Sequence, residues 1–135
     1  MIKIIWIIKR KLGVTPEEFR ERYERHARLG QKLCGHLQTS YKRNYKLEIL
    51  GGGTPTTHGE GATFGPIEWD YDVITEVCFA NEDAYNQRNQ IFADPVTARQ
   101  FYEDEEDFLD RESVIMFRCE EVDTGTGVTK SPEGA

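Results

Sequence analysis

An α+β sandwich, one antiparallel sheet with helices on one face, is the fold class the sequence predicts, and three observations predict it. Runs rich in β-branched and apolar residues, each of strand length, recur at 2–8, 39–50, 71–80 and 113–122. A long helical pattern at 15–34 separates the first two runs, and two shorter ones separate the last two. The coarse order is therefore β-α-β, a loop, then β-α-α-β, and two βαβ halves make a ferredoxin-like β-α-β-β-α-β sandwich. At 135 residues the chain can bury one core, so a single domain is expected.

The opening run, MIKIIWII, is apolar on both faces and reads as a central strand covered on two sides. It is too short to span a bilayer, Lys3 interrupts it, KRK follows it, and no small-residue cleavage site is present. Segment 15–34, TPEEFRERYERHARLGQKLC, begins with a capping box: Thr15 as cap, Pro16 at the first helical position, and Glu18 three residues after the cap. Wound at 100° per residue, Phe19, Tyr23, His26, Gly30, Leu33 and Leu37 fall within about 40° of one line. Glu17, Glu21, Glu24, Arg25, Arg28 and Lys32 fall opposite. His26 thus points inward, either as a core histidine bonded to a neighbour or as an acid/base lining a pocket. Glu18/Arg22, Glu21/Arg25 and Glu24/Arg28 are acid-before-base pairs that support the helix.

Segment 39–50 alternates, with Tyr41, Arg43, Tyr45, Leu47 and Ile49 on one face and Lys42, Asn44, Lys46 and Glu48 on a wet face. The stretch 51–69 has no period and reads as a disordered insertion or a lid over a site. Its triple glycine lacks the Lys-Ser/Thr of a phosphate loop, and His58 within it reads as an exposed imidazole. In the third strand, YDVITEVCFA, Glu76 is the polar exception. A buried carboxylate must pair or face a polar cavity, which makes Glu76 a candidate for orienting a histidine. Asn81 caps a helix running to Phe92, and Asp94 with Pro95 starts another. Phe101, Glu105, Phe108 and Leu109 lie near one stripe of it, while Glu103, Asp104, Glu106, Asp107 and Asp110 form a solvated acidic patch. The last strand is 113–122, and 123–135 has no apolar face to bury and reads as a mobile tail. The domain is then 1–122, with 51–69 as a loop insertion.

Several strands are apolar on both sides, yet no further element can cover the second sheet face. A second copy is the natural cover, so a homodimer packed sheet against sheet is expected. The net charge of -7 and the pI of about 5.0 argue against nucleic-acid or anionic-membrane partners. Cys34, Cys78 and Cys119 are odd in number and far apart, which fits free thiols of a cytoplasmic protein and no metal-ligand spacing. With no flavin, nicotinamide or nucleotide motif either, no cofactor is expected.

The segments MIKIIWIIKRK, PEEFRERYERHARL, YKRNYKL, YDVITEVCF and YEDEEDFLDRESVIMF together resemble the EthD-domain family of dimeric α+β barrel proteins. The similarity is nearest to fungal members encoded with polyketide pathways. It runs from Met1 to about Val122 outside most of 51–69, and is most specific in the PEEF…YE.HA helix and the EDE..F.D close. The resemblance implies a small cofactor-free lyase, a dehydratase or decarboxylase of aromatic polyketides such as anthrone or anthraquinone carboxylic acids. It places the family's helix histidine at His26 and its late aspartate at Asp110, and offers Tyr41 and Tyr45 as pocket residues. Where the family often carries a second histidine, this chain has Ala27.

Loss of water or CO₂ without a cofactor requires a group that moves a proton at carbon and a donor for the developing enolate or phenolate. His26 suits the first role. Tyr45, or alternatively Tyr23 or Tyr41, suits the second, with Asp110 as partner to His26 and with Trp6 and Phe79 as flat walls for an aromatic ring. Two rival activities share this pocket: a polyketide cyclase or cofactor-free anthrone-type oxygenase, and a non-catalytic ligand-binding accessory protein.

Overall fold

A computed structural model describes residues 1–55, 64–65 and 69–125. Strand β1 (Ile2–Ile8) leads to helix α1 (Pro16–Cys34), a 3-10 turn (Gly35–Leu37) and β2 (Gln38–Tyr45). After β3 (Gly52–Pro55) and β4 (Phe64–Gly65) come β5 (Val73–Phe79), α2 (Glu82–Ala93), α3 (Pro95–Glu106), a second 3-10 turn (Arg111–Ser113) and β6 (Ile115–Cys119). The main sheet has the order β2-β5-β1-β6 with every neighbour antiparallel. That is the ferredoxin-like topology, with the first and third major strands at the centre.

The pleat divides the sheet into two faces. Ile2, Ile4, Trp6 and Ile8 register with Phe79, Val77, Thr75 and Val73 and point toward the helices. There they build two core clusters, one around Ile8, Phe19, Tyr23, Val73, Phe108 and Leu109, the other around Ile2, Ile4, Val77 and Phe79. Helix α1 starts as its capping box requires, with Thr15 Oγ1 accepting from the Glu18 N–H at 3.1 Å. It buries Phe19, Tyr23, His26, Ala27, Gly30 and Cys34. Asn81 and Asp94 cap α2 and α3 through the N–H groups of Ala84 and Thr97. At Gly30 helices α1 and α3 come close: a Cβ there would stand 3.3 Å from the ring of Phe101.

Several local expectations are corrected. Strand β2 ends at Tyr45 instead of running to residue 50, because Tyr45 already faces Val73, the first residue of its partner β5. Beyond it Leu47 and Leu50 stand exposed. Residues read as an aperiodic loop contain the short β3–β4 pair, with Gly52 opposite Gly65. The rest of that stretch, 56–63 with His58 and 66–68, lies outside the described residues, as do 126–135 of the expected tail. Glu24, assigned to the outer helix face with Arg28 as partner, instead takes a two-pronged bond from Arg43 of β2, at 2.7 and 2.9 Å.

The second face of the sheet carries Ile5, Ile7, Ile74, Cys78, Ile115 and Phe117 around one polar cluster. Lys3 Nζ lies between Glu76 Oε1 at 2.7 Å and Glu121 Oε2 at 2.6 Å, and Asn44 Nδ2 donates to Glu76 at 2.8 Å. Ile115 and Phe117 remain 44% and 43% exposed. Among the described residues no helix is long and apolar enough to cross a membrane.

Candidate functional site

Between the helix layer and the sheet lies a cavity of about 380 Å³, lined by side chains of α1, β1, β2, β5, α2 and α3 and by the residues that follow α3. Its position follows from α1: the stripe that buries Phe19 and Tyr23 reaches His26 one turn later, where the layer opens. His26 is only 5% exposed, and both of its ring nitrogens meet carboxylates. Nδ1 lies 2.6 Å from Asp104 Oδ2, and Nε2 lies 3.2 Å from Glu105 Oε1. Consecutive residues of a helix diverge by about 100°, so Asp104 and Glu105 of α3 can straddle one imidazole. Placed on opposite ring nitrogens, they do not converge on one point, and among the described residues no group of three or more His, Cys, Asp or Glu could hold a metal ion.

Hydrogen-bond chemistry sets what this trio can do. The imidazolium donates to both carboxylates at once, whereas the neutral ring donates to one and leaves its other nitrogen as an acceptor. Donation from Nδ1 to Asp104 is the arrangement that turns Nε2 into a base, with Glu105 beside it on the cavity wall. Glu105 is steadied from its other side by Arg111, whose Nε lies 3.5 Å from Oε2 and whose guanidinium stacks 3.5 Å over the Tyr102 ring.

Aromatic rings form the rest of the wall. Phe101 sits 4.1 Å from the His26 ring, centroid to centroid, and Phe92 sits 4.8 Å from Phe101. Trp6 and Tyr41 come from the sheet, and Tyr23 reaches toward it from α1. The Tyr23 hydroxyl bonds Thr75 Oγ1 at 2.6 Å, and burial pushes its acidity well down. Burial likewise pushes Tyr41 up to about 12, with the nearby Arg43 guanidinium opposing, so both phenols remain neutral donors across ordinary pH.

The expected site residues thus divide. His26, Trp6, Tyr23 and Tyr41 share the cavity. Tyr45 does not: its hydroxyl donates to Glu24, and Arg20 stacks 4.5 Å over its ring. Phe79 is fully buried in the core against Tyr85. Glu76 points to the opposite sheet face, where Lys3 holds its carboxyl below the ordinary value, helped by Asn44. Asp110 is not the neighbour of His26; its N–H donates to the Lys9 carbonyl at 3.1 Å, and its carboxylate lies 3.9 Å from Lys9 Nζ.

Sequence reasoning missed Asp104, Arg88 and Gln38. Asp104 was grouped with a solvated patch, although it stands three residues after Phe101 and four before Phe108, on the stripe that turns inward. Arg88 had a similar signal, three residues after Tyr85 and four before Phe92. Gln38 at the start of β2 carried none.

The model of the EthD domain matches residues 11–112 of the chain. Among curated proteins none matches it. Of the solved structures, the Arabidopsis thaliana protein At3g17210, in an ensemble-refined crystal structure, superposes with a TM-score of 0.56 at 17% identity, over 93% of this chain and 100% of that one. The solution structure of the same hypothetical plant protein gives 0.54 at 18% identity, over 93% and 91%. A dimeric ferredoxin-like protein of unknown function from Thermobifida fusca gives 0.49 at 15% identity, over 87% and 88%. At such identities the two plant structures speak to the fold alone. The family match spans most of the described domain, α1 and α3 with their His26–Asp104 contact included, and the chain belongs to the EthD domain family.

Proposed function

We propose that the chain is a cofactor-independent lyase, a dehydratase or decarboxylase acting on an aromatic polyketide intermediate of secondary metabolism, with His26 as general acid/base. The observation that carries this reading is the 2.6 Å Asp104–His26 contact on the wall of a cavity lined by aromatic rings. In a dehydration, Nε2 takes the α-proton of a β-hydroxyketone, and the electron pair moves onto the carbonyl oxygen. Tyr41, neutral and partly buried, donates to that developing enolate. Collapse of the enolate expels the β-hydroxyl, which leaves as water with the proton His26 returns to it. In a decarboxylation, CO₂ leaves and His26 delivers its proton to the ring carbon. Asp104 holds the ring orientation and balances its charge in both.

The test is a folded His26→Ala variant assayed with aromatic polyketide β-hydroxyketones and aryl acids. Turnover is expected to fall by about 10²- to 10⁴-fold, the range typical of one general acid/base. A folded variant that turns over at the wild-type rate sinks the reading. One observation favours a second one: with Glu105 3.2 Å from Nε2, the histidine can be fully engaged within the protein. A non-catalytic ligand-binding role then follows, and tight binding of an aromatic ligand without conversion supports it. We also read the open sheet face, with Ile5, Ile7, Ile74, Ile115 and Phe117, as the seat of a second copy in a homodimer.

A further inference from the structure

Arg88 is the cation that the proposed proton chemistry leaves unused. It lies on α2 between Tyr85 and Phe92 and lines the cavity, a place where a long apolar side chain would ordinarily pack. Its guanidinium rests 4.3 Å over the Phe92 ring and 5.7 Å from the Trp6 ring. Ring faces hold a cation in place but accept none of its in-plane N–H donors. Among the described residues no carboxylate comes within 4.0 Å of it, and its one hydrogen bond is from Nη1 to Asn89 Oδ1 at 3.3 Å. Burial lowers the pKa of this arginine, opposed by the Cys34, Tyr85 and Tyr41 side chains and by the Glu105 carboxylate, which lies beyond ion-pair distance.

Its surroundings point the same way. The Arg88 charge acts on both the Cys34 thiol and the Tyr41 hydroxyl, favouring their ionised forms against the burial that opposes them. Gln38, which also lines the cavity, gives its Nε2 to Cys34 Sγ at 3.6 Å, while its buried Oε1 has no partner. A guanidinium fork with spare donors and a phenol therefore meet in one region of an otherwise aromatic cavity, where the free Gln38 Oε1 is an acceptor and takes no part in holding an anion. The row of rings fixes where that region lies. Arg88 lies over Phe92, Phe92 meets Phe101 edge-on and Phe101 packs at a tilt against His26, so two rings separate the cation from the imidazole.

We propose that Arg88, with Tyr41 beside it, is the anchoring subsite for a carboxylate carried by the aromatic ligand. The acid bound there sits across the ring system from His26 and is retained, while His26 serves a different carbon. This rests on the aromatic-ligand reading above and adds to it which substituent the ligand must bear, and where. A fork with two in-plane donors suits a planar carboxylate in a bidentate bond.

Calorimetric titration of the full-length protein with naphthoate and with naphthamide, its neutral counterpart of the same shape, tests this near neutral pH. The wild type is expected to bind naphthoate at least about tenfold more tightly, the worth of one charge-assisted bond. In Arg88→Met the two affinities become equal, with that for naphthamide little changed, and in Arg88→Lys the preference shrinks without vanishing. Equal wild-type affinities, or a preference that survives in folded Arg88→Met, overturn the anchoring role and leave the aromatic cavity standing. Failure of the wild type to bind either probe overturns both. If Arg88→Met does not fold, the wild-type ratio and the Arg88→Lys titration decide.

Discussion

Asp104 and Asp110 are six positions apart in one acidic run, and only the first touches His26. The Asp104→Asn variant is expected to lose about 10²-fold or more in kcat, since the neutral amide does not balance the protonated imidazole and can, by donating to Nδ1, hold the wrong tautomer. Asp110→Asn should stay within a few-fold of wild type, and a steady-state assay of the two side by side separates them. Glu24 offers a test of stability. Arg43 holds its carboxyl below the usual 4.5, chiefly by hydrogen bonds, with burial opposing. A depressed acid contributes stability that is present above its unfolded pKa and is lost as the pH falls through its folded one. Denaturant midpoints should therefore drop as the pH falls below about 4.5, and Glu24→Gln should show a lower neutral-pH midpoint with a flatter acid limb.

Helices α1 and α3 owe their contact to a missing side chain. At Gly30 a Cβ would stand 3.3 Å from the ring of Phe101, tighter than ordinary contact, and that same ring packs on His26. Gly30→Val adds bulk where nothing can move without displacing Phe101, so about 1–3 kcal/mol of stability should go, read as a lower urea midpoint. The α1 face was legible in the sequence because its 3.6-residue period and its cap are local properties. So were the caps of α2 and α3. The end of β2 was not, because a strand stops where its partner stops, and Val73 is distant in sequence from Tyr45.

For the molecule as a whole, the open sheet face, with Ile115 and Phe117 exposed, is where the proposed assembly can be tested. Charge placed on its exposed apolar residues should prevent a sheet-to-sheet homodimer: Phe117→Glu is expected to sediment as a monomer where the wild type sediments as a dimer. Equal sedimentation of the two would remove that assembly.

By itself the sequence determined the ferredoxin-like order of elements, the inward face of α1 and the placement of His26 on it, since each follows from residue spacing within one segment. Only the tertiary structure decided what His26 meets. Asp104 replaces Asp110 there, Tyr41 rather than Tyr45 reaches the cavity, and Glu76 and Phe79 fall outside it. Periodicity assigns a side chain to a face, but a hydrogen bond depends on how two helices and a sheet lie against one another. That relation is set by packing between segments far apart in the chain, such as Phe101 against Gly30.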